Sequence, residues 1–225
     1  MNLPDSEVLD IFGRMNSYSV VLNLQEKINA DHFSAFKILA DALGRKYNEY
    51  WIKQRIMSSR EILRMQEVSL VADLLIAMRE GIKAKKRIKA YYDAYEKENG
   101  YNDDVALVEE RFDKVVATVG KLYPEGLSDS EFSRNHLFYS LFTAVAHCLF
   151  GLKDTDARRG DLGSDVAIEV ARVGLDRVEE MFTVAAADVG KLPPAERVFI
   201  QDSRRATTDE TVRKRRTTFL LGLMG

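Results

Sequence analysis

Ser58-Ser59-Arg60-Glu61-Ile62-Leu63-Arg64-Met65-Gln66-Glu67-Val68-Ser69-Leu70-Val71-Ala72-Asp73-Leu74-Leu75-Ile76-Ala77-Met78 is the stretch from which the fold is read. Ser58 followed three residues later by Glu61 forms a capping box, so a helix starts here. Ile62, Met65, Val68, Val71, Ala72, Leu75, Ile76 and Met78 give that helix an apolar side spread over a wide arc, the pattern of a helix enclosed by others. Gly81 suits its C-terminal cap. The stretch is therefore expected at the centre of a helical bundle.

The segments on either side repeat the pattern. Phe33, Phe36, Leu39, Ala40 and Leu43 lie at helical spacing and end at Gly44. Tyr47, Tyr50 and Trp51 add aromatic bulk that belongs in a core. Val105, Val108, Phe112, Val115, Val116, Val119 and Leu122 repeat at helical spacing, with Pro124 and Gly126 ending the run. Leu137 to Leu149 is almost wholly apolar and reads as a second buried helix. Ser164 caps a further helix presenting Val166, Ile168, Val170, Ala171, Val173, Leu175, Val178 and Met181. Pro194 fits a first helical turn, and Thr208-Asp209-Glu210 opens a last helix that buries Phe219, Leu220 and Leu223. The economical reading is all-α, a multi-helix bundle of roughly eight to ten helices. It spans 1–225 as one domain, with two lobes, 1–98 and 103–225, meeting at the polar stretch Glu96 to Asp104.

Composition bounds the function classes. A formal net charge of −2 exerts no global pull toward nucleic acid or membrane, so any basic patch must be local. One cysteine, Cys148, allows no intrachain disulfide and suits a reducing cytoplasm. It stands in an apolar run, as a core thiol does. No apolar run reaches the ~20 residues that span a bilayer, and no secretory leader is read at the N-terminus. Three histidines, His32, His136 and His147, are scattered without metal-ligand spacing. His136 and His147 would lie about 16 Å apart on one helix, too far to share an ion. No phosphate loop, dinucleotide fingerprint or nucleophile elbow occurs, and no cofactor is expected.

Two polar constellations remain. Near the N-terminus, Val8, Ile11, Phe12 and Met15 mark a short helix that carries Arg14, and Asn16 opens the turn Asn16-Ser17-Tyr18-Ser19 that follows it. Asn23 and Glu26 then form a capping box for the next helix, and Gln25 and Asn29 share one of its faces. These residues either cap and join helices, with Arg14 paired to Glu26, or line one wall of a ligand pocket. Near the C-terminus, Arg204, Arg205, Arg213, Lys214, Arg215 and Arg216 flank Thr207-Thr208-Asp209. Threonine at a helix start beside arginines can bind phosphate through backbone amides and guanidinium groups. The alternative is a capped helix with arginines paired to acids. Lys83, Lys85, Lys86, Arg87 and Lys89 form a second basic run, on a solvated face or against phosphate.

A resemblance accompanies these residues. Ile11-Phe12-Gly13-Arg14-Met15-Asn16, followed by Leu22-Asn23-Leu24-Gln25-Glu26-Lys27-Ile28-Asn29, resembles a block of the bacterial GmrSD-type, ParB-like proteins. Tyr50-Trp51 with Arg64-Met65, Phe138 to Phe142, and Ser203 to Asp209 with Arg213, Arg216 and Phe219 resemble further blocks in the same order. The resemblance covers about Asp10 to the C-terminus, the helical portion of that family. The family's ParB-like nucleotide domain and its HNH nuclease domain have no counterpart here. It implies a non-catalytic helical module of a restriction-like, modification-dependent anti-phage system, in contact with DNA or with a ParB-like nucleotide-hydrolysing partner. A second hypothesis is a nucleotide-hydrolysing enzyme that joins Arg14, Asn16, Gln25 and Glu26 to the C-terminal arginines. A third is an inactive remnant. Self-association, the nucleotide and the DNA modification are left open by the sequence.

Overall fold

The computed structural model describes residues 22–225, which form eleven α-helices and no strand. In chain order they are α1 (Leu24–Asp31), α2 (Ala35–Lys46), α3 (Asn48–Lys53), α4 (Ser59–Ile62), α5 (Gln66–Glu80) and α6 (Ile88–Tyr95). Then come α7 (Val105–Leu122), α8 (Asn135–Phe150), α9 (Asp165–Asp188), α10 (Pro194–Asp202) and α11 (Glu210–Met224). The all-α bundle expected from the sequence is the observed architecture. The helix read over Val8 to Met15, with Arg14, and the turn that begins at Asn16 lie outside the described residues.

The starts of these helices follow the local chemistry. Asn23 and Ser58 each form a complete capping box, with Glu26 and Glu61 respectively. Ser34, Asp104 and Ser164 accept from first-turn amides, and Pro194 opens α10. One expectation is corrected. The helix begun at Ser59 does not run on to Met78 but stops at Ile62 and restarts at Gln66, with Met65 in the left-handed region at φ 57°. The reason lies in a long-range contact. Asn23 donates its side-chain amide to the Arg64 carbonyl at 2.8 Å, which takes that carbonyl for tertiary packing.

Two helices form the centre. Every residue of α5 from Glu67 to Ala77 is buried, as is every residue of α8 from Leu137 to Cys148. Helices enclosed all round need a shell, and the others supply it. α2 packs on α5, α5 on α8, and α7 and α11 on α8, while α9 and α10 close over α11. The resulting cluster of buried apolar side chains includes Phe36, Trp51, Tyr92, Phe112, Phe138, Leu175 and Leu220, so it is continuous across the polar stretch 96–104. Gly174 lets α9 approach α11 closely, because a Cβ there would meet the Leu223 carbonyl.

The joint between the centre and α11 is polar. Arg213 is 3% exposed and Asp73 4%. Arg213 donates from Nη1 to Asp73 Oδ1 at 2.8 Å and from Nη2 to Oδ2 at 2.7 Å, a bidentate pair. Its Nη1 also donates to the Lys83 carbonyl at 2.8 Å, and its guanidinium carbon sits 4.1 Å from the Tyr139 ring centroid. Arg216 is fully buried and binds neutral oxygens. It donates to Ser140 Oγ and to the carbonyls of Asp202, Thr207 and His136, at 3.0, 2.9, 2.8 and 3.3 Å. Burial, with Arg213 close by, pushes its pKa down to about 10. Thr217 and Thr143 share a hydrogen bond of 2.8 Å one turn further on.

Breaking a buried pair strands a charge, which costs about 3–5 kcal/mol. Asp73→Ala is expected to lose stability on that scale in urea unfolding, because Arg213 remains buried without its acid. Asp73→Leu combined with Arg213→Met removes both charges and should recover much of the loss. A loss in Asp73→Ala below about 1 kcal/mol would contradict this role of the pair.

Candidate functional site

Of the described N-terminal polar set, Asn23, Gln25 and Glu26 are spent on joining helices. Glu26 Oε2 accepts from the Asn23 backbone N–H at 2.6 Å, closing the capping box. Arg64 donates from Nε to Glu26 Oε1 at 2.7 Å and from Nη2 to Oε2 at 3.1 Å. The Asn23 N–H, with help from the Arg64 guanidinium, holds the Glu26 carboxyl below its ordinary value. Gln25 is buried and donates to the Tyr92 hydroxyl at 3.2 Å, tying α1 to α6. Asn29 keeps its Oδ1 buried, with no hydrogen-bond partner among the described residues. Arg14 and Asn16 fall outside the described residues.

Beside this corner stands a buried acid that sequence reading passed over. Glu67, in the first turn of α5, is 5% exposed, and its Oε2 has no hydrogen-bond partner among the described residues. Burial pushes its carboxyl above the ordinary value of 4.5, and the Asp41 carboxylate adds to the shift. The native chain thus holds this proton more tightly than the unfolded chain does. Its contribution to stability is full below pH ~4.5 and is lost as pH rises through the raised native value. Glu67→Gln removes that loss. The melting temperature of the variant relative to the parent should therefore climb between pH ~4 and pH ~7, and a difference constant with pH would contradict it.

The C-terminal basic cluster divides in two. Arg213 and Arg216, read from the sequence as anion-contact residues, point into the core and are used up there; they offer no surface to DNA. Lys214 pairs with Glu210 at 2.9 Å and Arg215 with Asp202 at 2.6 Å. Arg204 and Arg205 are different. Both are exposed at the corner between α10 and α11, and with Arg197, Val189, Ile200 and Gln201 they line an open groove of about 380 Å³. Among the described residues, none of these three arginines forms an ion pair. Thr207 and Thr208 lie in the same corner. The Thr207 carbonyl is taken by Arg216, and the Thr208 carbonyl accepts from the Lys85 backbone N–H at 3.0 Å.

That last bond joins two basic segments far apart in the chain. It fastens the Lys85–Arg87 turn, which leads into α6, to the Thr207–Asp209 corner. Within the run, Lys83 pairs with Asp154 and Lys89 with Asp93. Lys86 and Arg87 are exposed and make no ion pair among the described residues. Five cations outside any such pair, Arg197, Arg204, Arg205, Lys86 and Arg87, thus stand on two segments that touch.

Arg197 was missed in the sequence. It lies four residues before Gln201 and seven before Arg204, a helical spacing that marks one face. The burial of Arg213 and Arg216 was also legible by spacing. They stand seven and four residues before the buried Leu220, on the same stripe of α11.

The histidines are structural where their contacts are clear. His32 bridges the Ile28 carbonyl and Asp93, and His147 bonds the Ala157 carbonyl and the Leu152 N–H. Burial, with Arg216 adjacent, lowers the His136 pKa to about 4. Among the described residues, no group of three or more His, Cys, Asp and Glu is placed to hold a metal ion, and no helix is long and apolar enough to cross a membrane. Cys148 is buried, and burial pushes its thiol up. No family model, curated protein or solved structure matches the chain.

Proposed function

We propose that this chain is a non-catalytic, phosphate-contacting helical module that binds the DNA backbone through the corner between α10 and α11. The observation that carries the reading is the groove of Arg197, Arg204 and Arg205, three exposed guanidinium groups in no ion pair among the described residues, next to the turn bearing Lys86 and Arg87. Exposed arginines usually find carboxylates on a chain with as many acids as this one. A cluster left outside such pairs is suited to an external polyanion, whose phosphates arginine binds in bidentate fashion. The groove reads no bases by itself, so the contact positions DNA without specifying sequence.

The sequence resemblance sets this activity within a restriction-like, modification-dependent defence system of bacteria. A ParB-like nucleotide-hydrolysing partner would then supply the catalysis. A cytoplasmic setting fits the single buried thiol.

The enzymatic alternative joins Glu26 to the C-terminal arginines. The geometry favours it less, because both Glu26 oxygens are engaged by Asn23 and Arg64, and Arg213 is engaged by Asp73. To hold a water or Mg²⁺, Glu26 would have to give up the cap of α1.

Binding of a short duplex DNA measured across a salt series tests the proposal. A triple variant, Arg197→Ala with Arg204→Ala and Arg205→Ala, should bind more weakly. Its slope of log K against log salt should fall by ~0.9 for each phosphate that the variant leaves unneutralised. The substitutions are at exposed positions, so the thermal midpoint should stay near that of the parent. No binding by the parent at low salt, or an unchanged slope in the variant, would refute the reading and leave the inactive-remnant hypothesis in its place.

A further inference from the structure

A second site lies away from the basic corner, and sequence reading gave no hint of it. A cleft of about 420 Å³ opens where the C-terminal ends of α5 and α8 meet the N-terminal half of α7. Its floor is apolar, made by Leu75, Met78, Val108, Ala146, Phe150 and Leu152. Its rim carries three acids and three cations: Glu80, Asp103 and Asp104 against Arg79, Arg111 and Lys153. The rim is therefore neutral by count, and what matters is which charges are already engaged.

All three acids are engaged. Asp103 accepts from Arg79 Nε at 2.8 Å. Glu80 accepts from Arg79 Nη1 and from the Tyr95 hydroxyl, each at 3.0 Å, and Lys153 approaches its other oxygen at 3.8 Å. Asp104 caps α7, accepting from the backbone amides of Ala106 and Leu107. Arg79 is held by its two acids and by the rings of Tyr95 and Tyr101, at 4.7 and 5.1 Å from its guanidinium carbon. Arg111 is the exception. It is exposed, has no carboxylate partner among the described residues, and lies 5.4 Å from the Phe150 ring centroid at the cleft. The first turn of α7, with its partial positive charge, opens on the same rim.

An apolar floor with one uncommitted guanidinium above it defines a ligand. The cleft sets an apolar base under a charged rim, and its volume falls within the usual range for a small-molecule pocket. The cation attracts one negative charge, while Arg79 already holds an oxygen each of Asp103 and Glu80 and the α7 amides hold one of Asp104.

We infer that this cleft binds a small organic monoanion: a carboxylate with an apolar body, its charge on Arg111 and its body against Phe150 and Met78. The inference is independent of the DNA reading, since no residue of the basic corner lines the cleft.

Calorimetric titration with octanoate, 1-octanol and octylammonium, three probes of one chain length and different charge, tests it. Octanoate should bind one to one with a Kd of ~1 mM or tighter, ahead of octanol, and octylammonium should bind weakest. Arg111→Ala should weaken octanoate by about tenfold and bring it level with octanol, while Arg111→Lys keeps the preference for the anion. Position 111 is exposed on a helix, where alanine is well tolerated, and circular dichroism verifies the fold of each variant. Val108→Trp, which fills the cleft, should abolish binding of all three probes. Octanoate that fails to bind at ~5 mM, that binds no better than octylammonium, or that is unaffected by Arg111→Ala would overturn the inference.

Discussion

Arginine inside a helical bundle is the constraint to which the rest of this structure answers. Arg213 and Arg216 enter the core from α11, one turn apart, and their terminal donors are met by protein groups, the Arg213 Nε alone lacking a partner among the described residues. Arg213 receives a carboxylate from the middle of α5. Arg216 receives a hydroxyl and three carbonyls from α8, the end of α10 and the Thr207 corner. These partners come from four separate segments, so the two side chains fix the last helix against both central ones and fix the corner that precedes it. A purely apolar stripe on α11 would tolerate sliding or rotation. A bidentate pair and a carbonyl cage accept one register only.

The same lock shapes the candidate site. The Thr207 carbonyl is held by Arg216 and the Thr208 carbonyl by the Lys85 N–H, which fixes the corner at both residues. Arg204 and Arg205 are left facing outward beside Arg197, and the turn carrying Lys86 and Arg87 is brought alongside. The internal arginines thus place the external ones. The first half of the chain shows a comparable division of labour. Glu26 and Arg64 secure the entry to α5, and the cost is a broken helix at Leu63 to Met65 and an acid, Glu67, buried without a full set of partners.

Much of the fold was legible from residue patterns. The wide apolar arc from Val68 to Met78 and the apolar run from Leu137 placed the two central helices. Asn23, Ser58, Ser164 and Pro194 placed four helix starts. What escaped was set by contacts between distant segments. The break at Leu63-Arg64-Met65 was not read from the sequence: the Arg64 carbonyl is taken by the side chain of Asn23, 41 positions away, and by that of Gln66. The acid at Asp73 stood alone in an apolar run and could have been matched to a basic residue elsewhere, but the match to Arg213 spans 140 positions. The site was legible only in part for the same reason. Spacing from Leu220 marks Arg213 and Arg216 for the core, but their partners, and the exposure of Arg204 and Arg205 beside Arg197, emerge only from the packing. The cleft around Arg111 draws on three helices and has no signature in any one of them.

The central claim is that the C-terminal arginines divide into an internal lock and an external phosphate-contact surface. Arginine modification by phenylglyoxal, read by mass spectrometry with and without duplex DNA, tests both halves together. The account predicts rapid modification of Arg197, Arg204 and Arg205 in the free chain, protection of all three by DNA, and little reaction at Arg213 and Arg216 in either state. Reaction at Arg213 and Arg216 as fast as at the exposed set, or exposed arginines that DNA leaves unprotected, would contradict it.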